Sequence, residues 1–179
     1  MLCEQCQTEI SKGMKTCFVV SPIGEPDSET RTNADKLLED IIRPVCVSFG
    51  IEPMRVDSAF SRHSITDTIM DLLESSDLII ADITGNNPNV FFEIGYCMAL
   101  GSPLVLITSS YAEIPFDIKV MPIILYDMST VTKRKESIEA IKRRVEGYLS
   151  GEIKSNRVLR ESDIASEREI LSMFEIVDD

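Results

Sequence analysis

Five short apolar runs punctuate the chain, and stretches of helical periodicity separate them. Residues 16–23, Thr-Cys-Phe-Val-Val-Ser-Pro-Ile, read as a buried strand ending in a turn at Pro22-Ile23-Gly24. Over 33–48, Ala34, Leu37, Leu38, Ile41 and Ile42 recur on one helical face, and Pro44 is expected to kink that helix. Ile51 to Val56 is a second strand. Ser64-Ile65-Thr66-Asp67 has the composition of a helix start, with Ile65, Ile69, Leu72 and Leu73 as its stripe. Asp77 to Asp82 is apolar without alternation, the pattern of a strand buried on both faces. Pro88 to Leu100 is helical, and Gly101 closes it. Pro103 to Thr108 and Met121 to Tyr126 are the fourth and fifth strands, the latter reached through a loop at Ile114-Pro115-Phe116-Asp117. Residues 132–149 form a charged helix.

Strands alternating with helices imply βαβ units, a parallel sheet and right-handed crossovers. The expected fold is therefore α/β: a flavodoxin- or Rossmann-like three-layer domain with a five-stranded, mostly parallel sheet in the order 2-1-3-4-5. The same reading divides the chain into a leader over 1–15, this domain over 16–150 and a helical extension over 151–179. In the extension Ser162 to Phe174 carries a weak stripe of Ile164, Ile170, Leu171 and Phe174.

Composition narrows the partners. Hydrophobic residues make up 44% of the 179, enough for a packed core, and the formal net charge is −12. An acidic chain gains nothing from counterion release, so no nucleic-acid polymer is expected as a partner. No apolar run is long enough to span a bilayer and the N-terminus lacks signal-peptide character, so a cytoplasmic protein without membrane contact is expected. The five cysteines are then thiols. Cys3-x-x-Cys6, with Gly13 and Cys17 beyond it, has the spacing of half a zinc ribbon, but the second ligand pair is missing and no metal or other cofactor is expected.

Ligands of open parallel sheets bind beyond the carboxyl ends of the strands. That rule gathers Ser21, Pro22, Ile23 and Gly24 from the first strand, Asp57 from the second, and Asp82, Thr84 and the Gly85-Asn86-Asn87-Pro88-Asn89 loop from the third. Glu93 follows about one and a half turns into the next helix. Its neighbours Phe91, Phe92 and Ile94 are apolar, and a partly desolvated carboxylate there makes a stronger nucleophile or a proton carrier near neutral pH. Each residue also has a structural alternative. Glu93 suits a solvated helix start, Asp82 a loop cap, and the asparagines a turn. The single histidine, His63, argues against Ser-His-Asp and Cys-His hydrolases, and no phosphate-binding glycine motif is present.

Phe18-Val-Val-Ser-Pro-Ile-Gly24, then Arg31 and Asn33-Ala34-Asp35, then Asp77-Leu-Ile-Ile-Ala-Asp-Ile-Thr-Gly-Asn-Asn-Pro-Asn-Val-Phe-Phe-Glu-Ile-Gly95, resemble the nucleoside 2-deoxyribosyltransferase-like superfamily. The superfamily includes deoxynucleotide N-glycosidases and effector domains of anti-phage systems such as retrons. The resemblance spans about residues 16–127, and its specific part is 77–95. It implies that Glu93, in the Glu-x-Gly motif completed by Gly95, attacks the anomeric carbon of a ribosyl or deoxyribosyl group. It also implies that Ser21 to Gly24 hold sugar and phosphate. Asn87, six residues before Glu93, would contact the sugar or its phosphate, where transferases of the family often carry an acid. The second acid implied for leaving-group protonation falls to Asp82 or Asp67.

The expected function is cleavage or transfer at an N-glycosidic bond of a nucleoside, nucleotide or NAD-like substrate, in a homo-oligomer and in an anti-phage setting. Asp57, Thr84, Gly85 and Asn89 complete the expected binding set. Two alternatives stay open: a nucleotide-binding sensor or interaction module that lost turnover, and a Toll/interleukin-receptor-like NAD glycohydrolase.

Overall fold

A computed structural model describes residues 14–56, 62–112 and 114–154, omitting the side chains of 62–66. Cys3, Cys6, Asp57, the side chain of His63 and the 155–179 segment lie outside the described residues. Five strands form one sheet: β1 (Lys15–Val20), β2 (Ile51–Met54), β3 (Leu78–Asp82), β4 (Leu104–Thr108) and β5 (Ile123–Leu125). Every pairing is parallel and the order is β2-β1-β3-β4-β5, as the alternating pattern predicts.

The central strands β1, β3 and β4 are buried on both faces because their residues alternate between two cores. Cys17, Val19, Leu78, Ile80, Val105 and Ile107 face one way. They pack under α1 (Glu29–Leu37), α2 (Arg43–Ser48) and α6 (Val131–Leu149), which contribute Leu37, Cys46, Ile141 and Val145. Phe18, Val20, Ile79, Ala81, Leu104 and Leu106 face the other way, against Leu72 and Leu73 of α3 (Arg62–Ser75) and Val90, Ile94 and Cys97 of α4 (Pro88–Leu100).

Several boundaries depart from the sequence reading. The first helix starts at Glu29 rather than 33, because Ser28 caps it by accepting from the Arg31 amide at 3.1 Å. Pro44 does not produce a simple kink. The chain instead widens into a π-helical stretch over Leu38–Ile42 before α2. A proline ring clashes with the carbonyl four residues back, here Asp40, and a wider turn relieves it. The 114–117 loop holds a short helix, α5 (Phe116–Lys119). The second and fifth strands stop short of Val56 and Tyr126. By contrast α4 runs from Pro88 to Leu100, as its sequence signals indicate: Asn87 caps it and Gly101 closes it at φ 73°.

Candidate active site

Strand register brings the expected residues to one edge. Val20 pairs with Ala81, so Ser21 and Asp82 come next side by side at the carboxyl end. Asp82 pairs with Ile107, and Thr108 with Leu125, which extends the same edge to Ser109 and Tyr126. Gly24 lets the turn after β1 lie against the start of α1. A Cβ there would stand 2.2 Å from Ser28 Oγ and 2.8 Å from Thr30 Cβ.

Asp82 is buried and fully engaged. Its Oδ1 accepts from the Thr84 amide at 3.0 Å and from Thr84 Oγ1 at 2.5 Å, and its Oδ2 accepts from the Tyr126 hydroxyl at 3.2 Å. Burial raises its carboxyl above the ordinary range, while the Thr84 and Tyr126 donors oppose that rise. The Ser109 amide donates to Thr84 Oγ1 at 3.0 Å, so strands β3, β4 and β5 are joined through one carboxylate. Burial also pushes the Tyr126 phenol up, and Tyr126 remains a donor.

The loop between β3 and α4 is folded on itself. Gly85 and Asn86 take φ of 74° and 54°, Asn86 N donates to the Ile83 carbonyl, and Asn87 Oδ1 accepts from the Asn89 amide at 2.9 Å. Asn87, expected to contact a sugar or phosphate, therefore uses its side-chain oxygen as the cap of α4. Beside this loop opens a cavity of about 790 Å³, within the ordinary range of small-molecule sites. Pro22, Asp82, Thr84, Gly85 and Asn87 of the expected set line it. Ser21, Ile23, Gly24, Asn89 and Glu93 are not among its lining residues, and Asp67 is exposed on α3.

Glu93 sits half-buried on α4, with Val90 one turn before it and Cys97 one turn after, both buried. Phe92 points outward, 64% exposed, which leaves Glu93 at the margin of the apolar stripe. Desolvation raises its carboxyl to about 7. Its flank of α4 is the one tied to α3, where the Tyr96 hydroxyl donates to Glu74. Ser21 Oγ is buried and finds no hydrogen-bond partner among the described residues. Such a group is what a ligand hydroxyl satisfies.

Some site residues escape the sequence reading. Tyr126 and Ser109 stand at the ends of β5 and β4, where the carboxyl-end rule applied to every strand finds them. Asp35 receives two guanidinium groups, from Arg55 and from Arg31 at 3.1 Å, and these hold its carboxyl below the usual range. Among the described residues no cluster of three or more His, Cys, Asp or Glu side chains is placed to hold a metal ion. Among the same residues no helix is long and apolar enough to cross a membrane.

No family model and no curated relative matches the sequence. Among solved structures the chain is similar to the CMP N-glycosidase BcmB of Clostridium botulinum, with 22% identity and a TM-score of 0.53 over 72% of this chain and 99% of that one. It is also similar to 2-deoxyribosyltransferases of Leishmania mexicana (23% identity, TM-score 0.45, 54% of this chain) and Bacillus psychrosaccharolyticus (15%, 0.47, 63% of this chain and 85% of that one). The chain spans 65% of the length of the Leishmania protein. At these identities the likeness is one of fold: the chain shares with the CMP N-glycosidase an α/β architecture, built here on five parallel strands in the order β2-β1-β3-β4-β5.

Proposed function

We propose that the chain is an enzyme that cleaves or transfers at the N-glycosidic bond of a nucleoside, nucleotide or NAD-like substrate, with Glu93 as nucleophile. The observation that carries this reading is Glu93 itself. It is an acid at the margin of an apolar helix stripe, without a paired cation among the described residues, and its carboxyl is raised to about 7 by desolvation. A carboxylate so placed is poorly solvated, which favours attack on an electrophilic carbon.

In the proposed reaction a Glu93 oxygen forms a bond to the anomeric carbon as the carbon–nitrogen bond breaks. The base leaves with the bonding pair and takes up a proton. Water then cleaves the glycosyl ester and restores the carboxylate; a second base in place of water gives transfer. Ser21, whose buried hydroxyl lacks a partner among the described residues, supports this reading as a sugar contact. Asp82 is committed as an acceptor to three donors and serves to fix the loop. Proton delivery to the base falls to water or to Asp67. The similarity to a CMP N-glycosidase supports a substrate of nucleotide class.

Incubating the purified chain with nucleosides, deoxynucleotides and NAD, and following free base by chromatography, tests this reading. Base release from one class is expected, and no release from any would contradict it. The defence role suggested by family resemblance is tested by plaque counts: Glu93→Gln is expected to abolish any protection that the wild type gives.

A second reading has its own observation. The cavity beside the β3–α4 loop does not include Glu93. That favours a nucleotide-binding module, which would bind nucleosides or nucleotides in the same assay without releasing base.

A further inference from the structure

We propose that the segment after Lys154, residues 155–179, turns back on its own chain and lies along the β5 side of α6, with its first acids, Glu161 and Asp163, against Arg144. This goes beyond the Glu93 reading and does not depend on it.

The described chain ends on a course in that direction. Gly151 takes a φ of 75° after α6, and the chain reverses there. Ile153 N then donates to the Gly147 carbonyl at 2.8 Å. Ile153 sits so close on Gly147 that a Cβ there would stand 2.4 Å from its Cδ1. Gly147 lies about one turn past Arg144, so the two are neighbours on the helix surface. Arg144 in turn lies about two turns past Ser137 and shares its face. Ser137 Oγ accepts from the Asp127 amide at 2.9 Å, just beyond β5. Arg134 marks the other side of the helix, where it pairs with Asp40 at 2.9 Å. The chain therefore leaves along the flank of α6 that overlooks the open edge of the sheet.

That flank holds a cation in want of an anion. The Arg144 guanidinium lies 5.1 Å over the Tyr148 ring, and its Nη2 donates to the Tyr148 hydroxyl at 3.3 Å. Its Nε is buried without an acceptor, and no acid pairs with it among the described residues. A buried guanidinium N–H left so is costly, and a carboxylate beside it removes the cost. Charge favours this chain's own segment as the source. α6 carries six cations and three acids in a chain of net charge −12. Residues 155–179 carry seven acids and three arginines. Reach is ample, because ten residues of extended chain span about 33 Å and the whole of α6 rises roughly 28 Å.

The same surface has apolar and backbone groups to cover. Ile124 and Tyr148 pack on the core from this layer and are only partly buried. Tyr126 N donates to the Thr108 carbonyl, so in the parallel ladder Ile123 and Leu125 turn their backbone groups to the open edge. The Tyr111 hydroxyl takes the Ile123 carbonyl. An edge left open invites pairing with other chains, and a segment laid beside it prevents that. α5, whose Ile118 packs on the opposite layer, is no part of this surface.

The test is thermolysin cleavage of the full chain, with cuts inside 155–179 followed by mass spectrometry. Cutting tracks the released population of the segment. Arg144→Glu should speed it by at least about tenfold, while Arg143→Glu, on the exposed side of α6, should leave it within about twofold. Glu161→Lys with Asp163→Lys, which leaves the packed domain untouched, should speed it equally, and it decides the matter should Arg144→Glu not fold. Joining all three changes should restore slow cutting. Wild type cut as fast as Arg144→Glu, or equal effects of Arg143→Glu and Arg144→Glu, would overturn the contact. Protection that grows with protein concentration would make a second copy the occupant and overturn docking within one chain.

Discussion

Glu93 stands one turn before Cys97 on α4, and its charge adds to burial in pushing the Cys97 thiol up to about 12. Cys97 packs in one core cluster with Val90 and Ile94, and Glu93 falls between those two residues on the same helix. An acid placed there is costly to ionise, and the cost has measurable consequences.

The first consequence is a pH-dependent stability. The Glu93 carboxyl is raised from 4.5 to about 7 in the folded chain, so folding favours its neutral form. Stability contributed by this group is present below the unfolded value and falls as pH rises through the folded one. Glu93→Gln should therefore be more stable than wild type at about pH 8, by roughly 1–3 kcal/mol, and nearly equal at about pH 4. Thermal melts at the two pH values check this. A variant less stable at about pH 8 would mean that the carboxylate has a favourable partner there.

The carboxylate that joins three strands gives a second prediction. Tyr126→Phe removes the donor to Asp82 Oδ2 and leaves a buried carboxyl oxygen short of a partner. Urea unfolding should show a loss of about 1–3 kcal/mol. A change within about 0.3 kcal/mol would show that water replaces the phenol.

Two glycines should respond oppositely. Gly24→Ala drives a methyl into Ser28 Oγ, 2.2 Å away, and Thr30 Cβ, 2.8 Å away. A loss of about 1–3 kcal/mol is expected. Gly95 is exposed in the middle of α4, and a Cβ added there would meet no atom within 4 Å. Gly95→Ala should gain about 1 kcal/mol from helix propensity. Denaturant midpoints compare them, and two losses of equal size would refute the contrast.

Assembly is testable through α5. Phe116 and Val120 stay 81% and 77% exposed near the β5 edge, a large apolar cost for an isolated chain. Light scattering should give a dimer or larger, and Phe116→Glu should shift it toward monomer. A monomer at all concentrations would dismiss the homo-oligomer.

Much of the fold is legible in the sequence because its signals are local. Unalternating apolar runs mark β1, β3 and β4, and Asn87-Pro88 with Gly101 brackets α4. The π-helical stretch before Pro44 is not legible, since proline announces a disturbance but not how the preceding turn absorbs it. The start of α1 is obscured because its first turn is polar and only the Ser28 cap marks it. The candidate site divides the same way. The carboxyl-end rule collects Ser21 and Asp82, which register places side by side. The hydrogen bond from Tyr126 to Asp82 joins residues 44 apart and has no local signature. Nor can periodicity show that Asn87 spends its side-chain oxygen on a cap, or that Glu93 is not among the residues lining the cavity.

The central claim is that Glu93 carries the chemistry, and Glu93→Gln tests it most directly. The change keeps shape and removes the charge. With whichever substrate the wild type cleaves, the variant should lose base release by several orders of magnitude, with folding intact. The wild-type kcat/KM should rise with pH and level off above about 7, following ionisation of the free carboxyl. A variant that retains most of the wild-type rate, or a wild-type rate that falls as pH rises through about 7, would contradict Glu93 as the nucleophile.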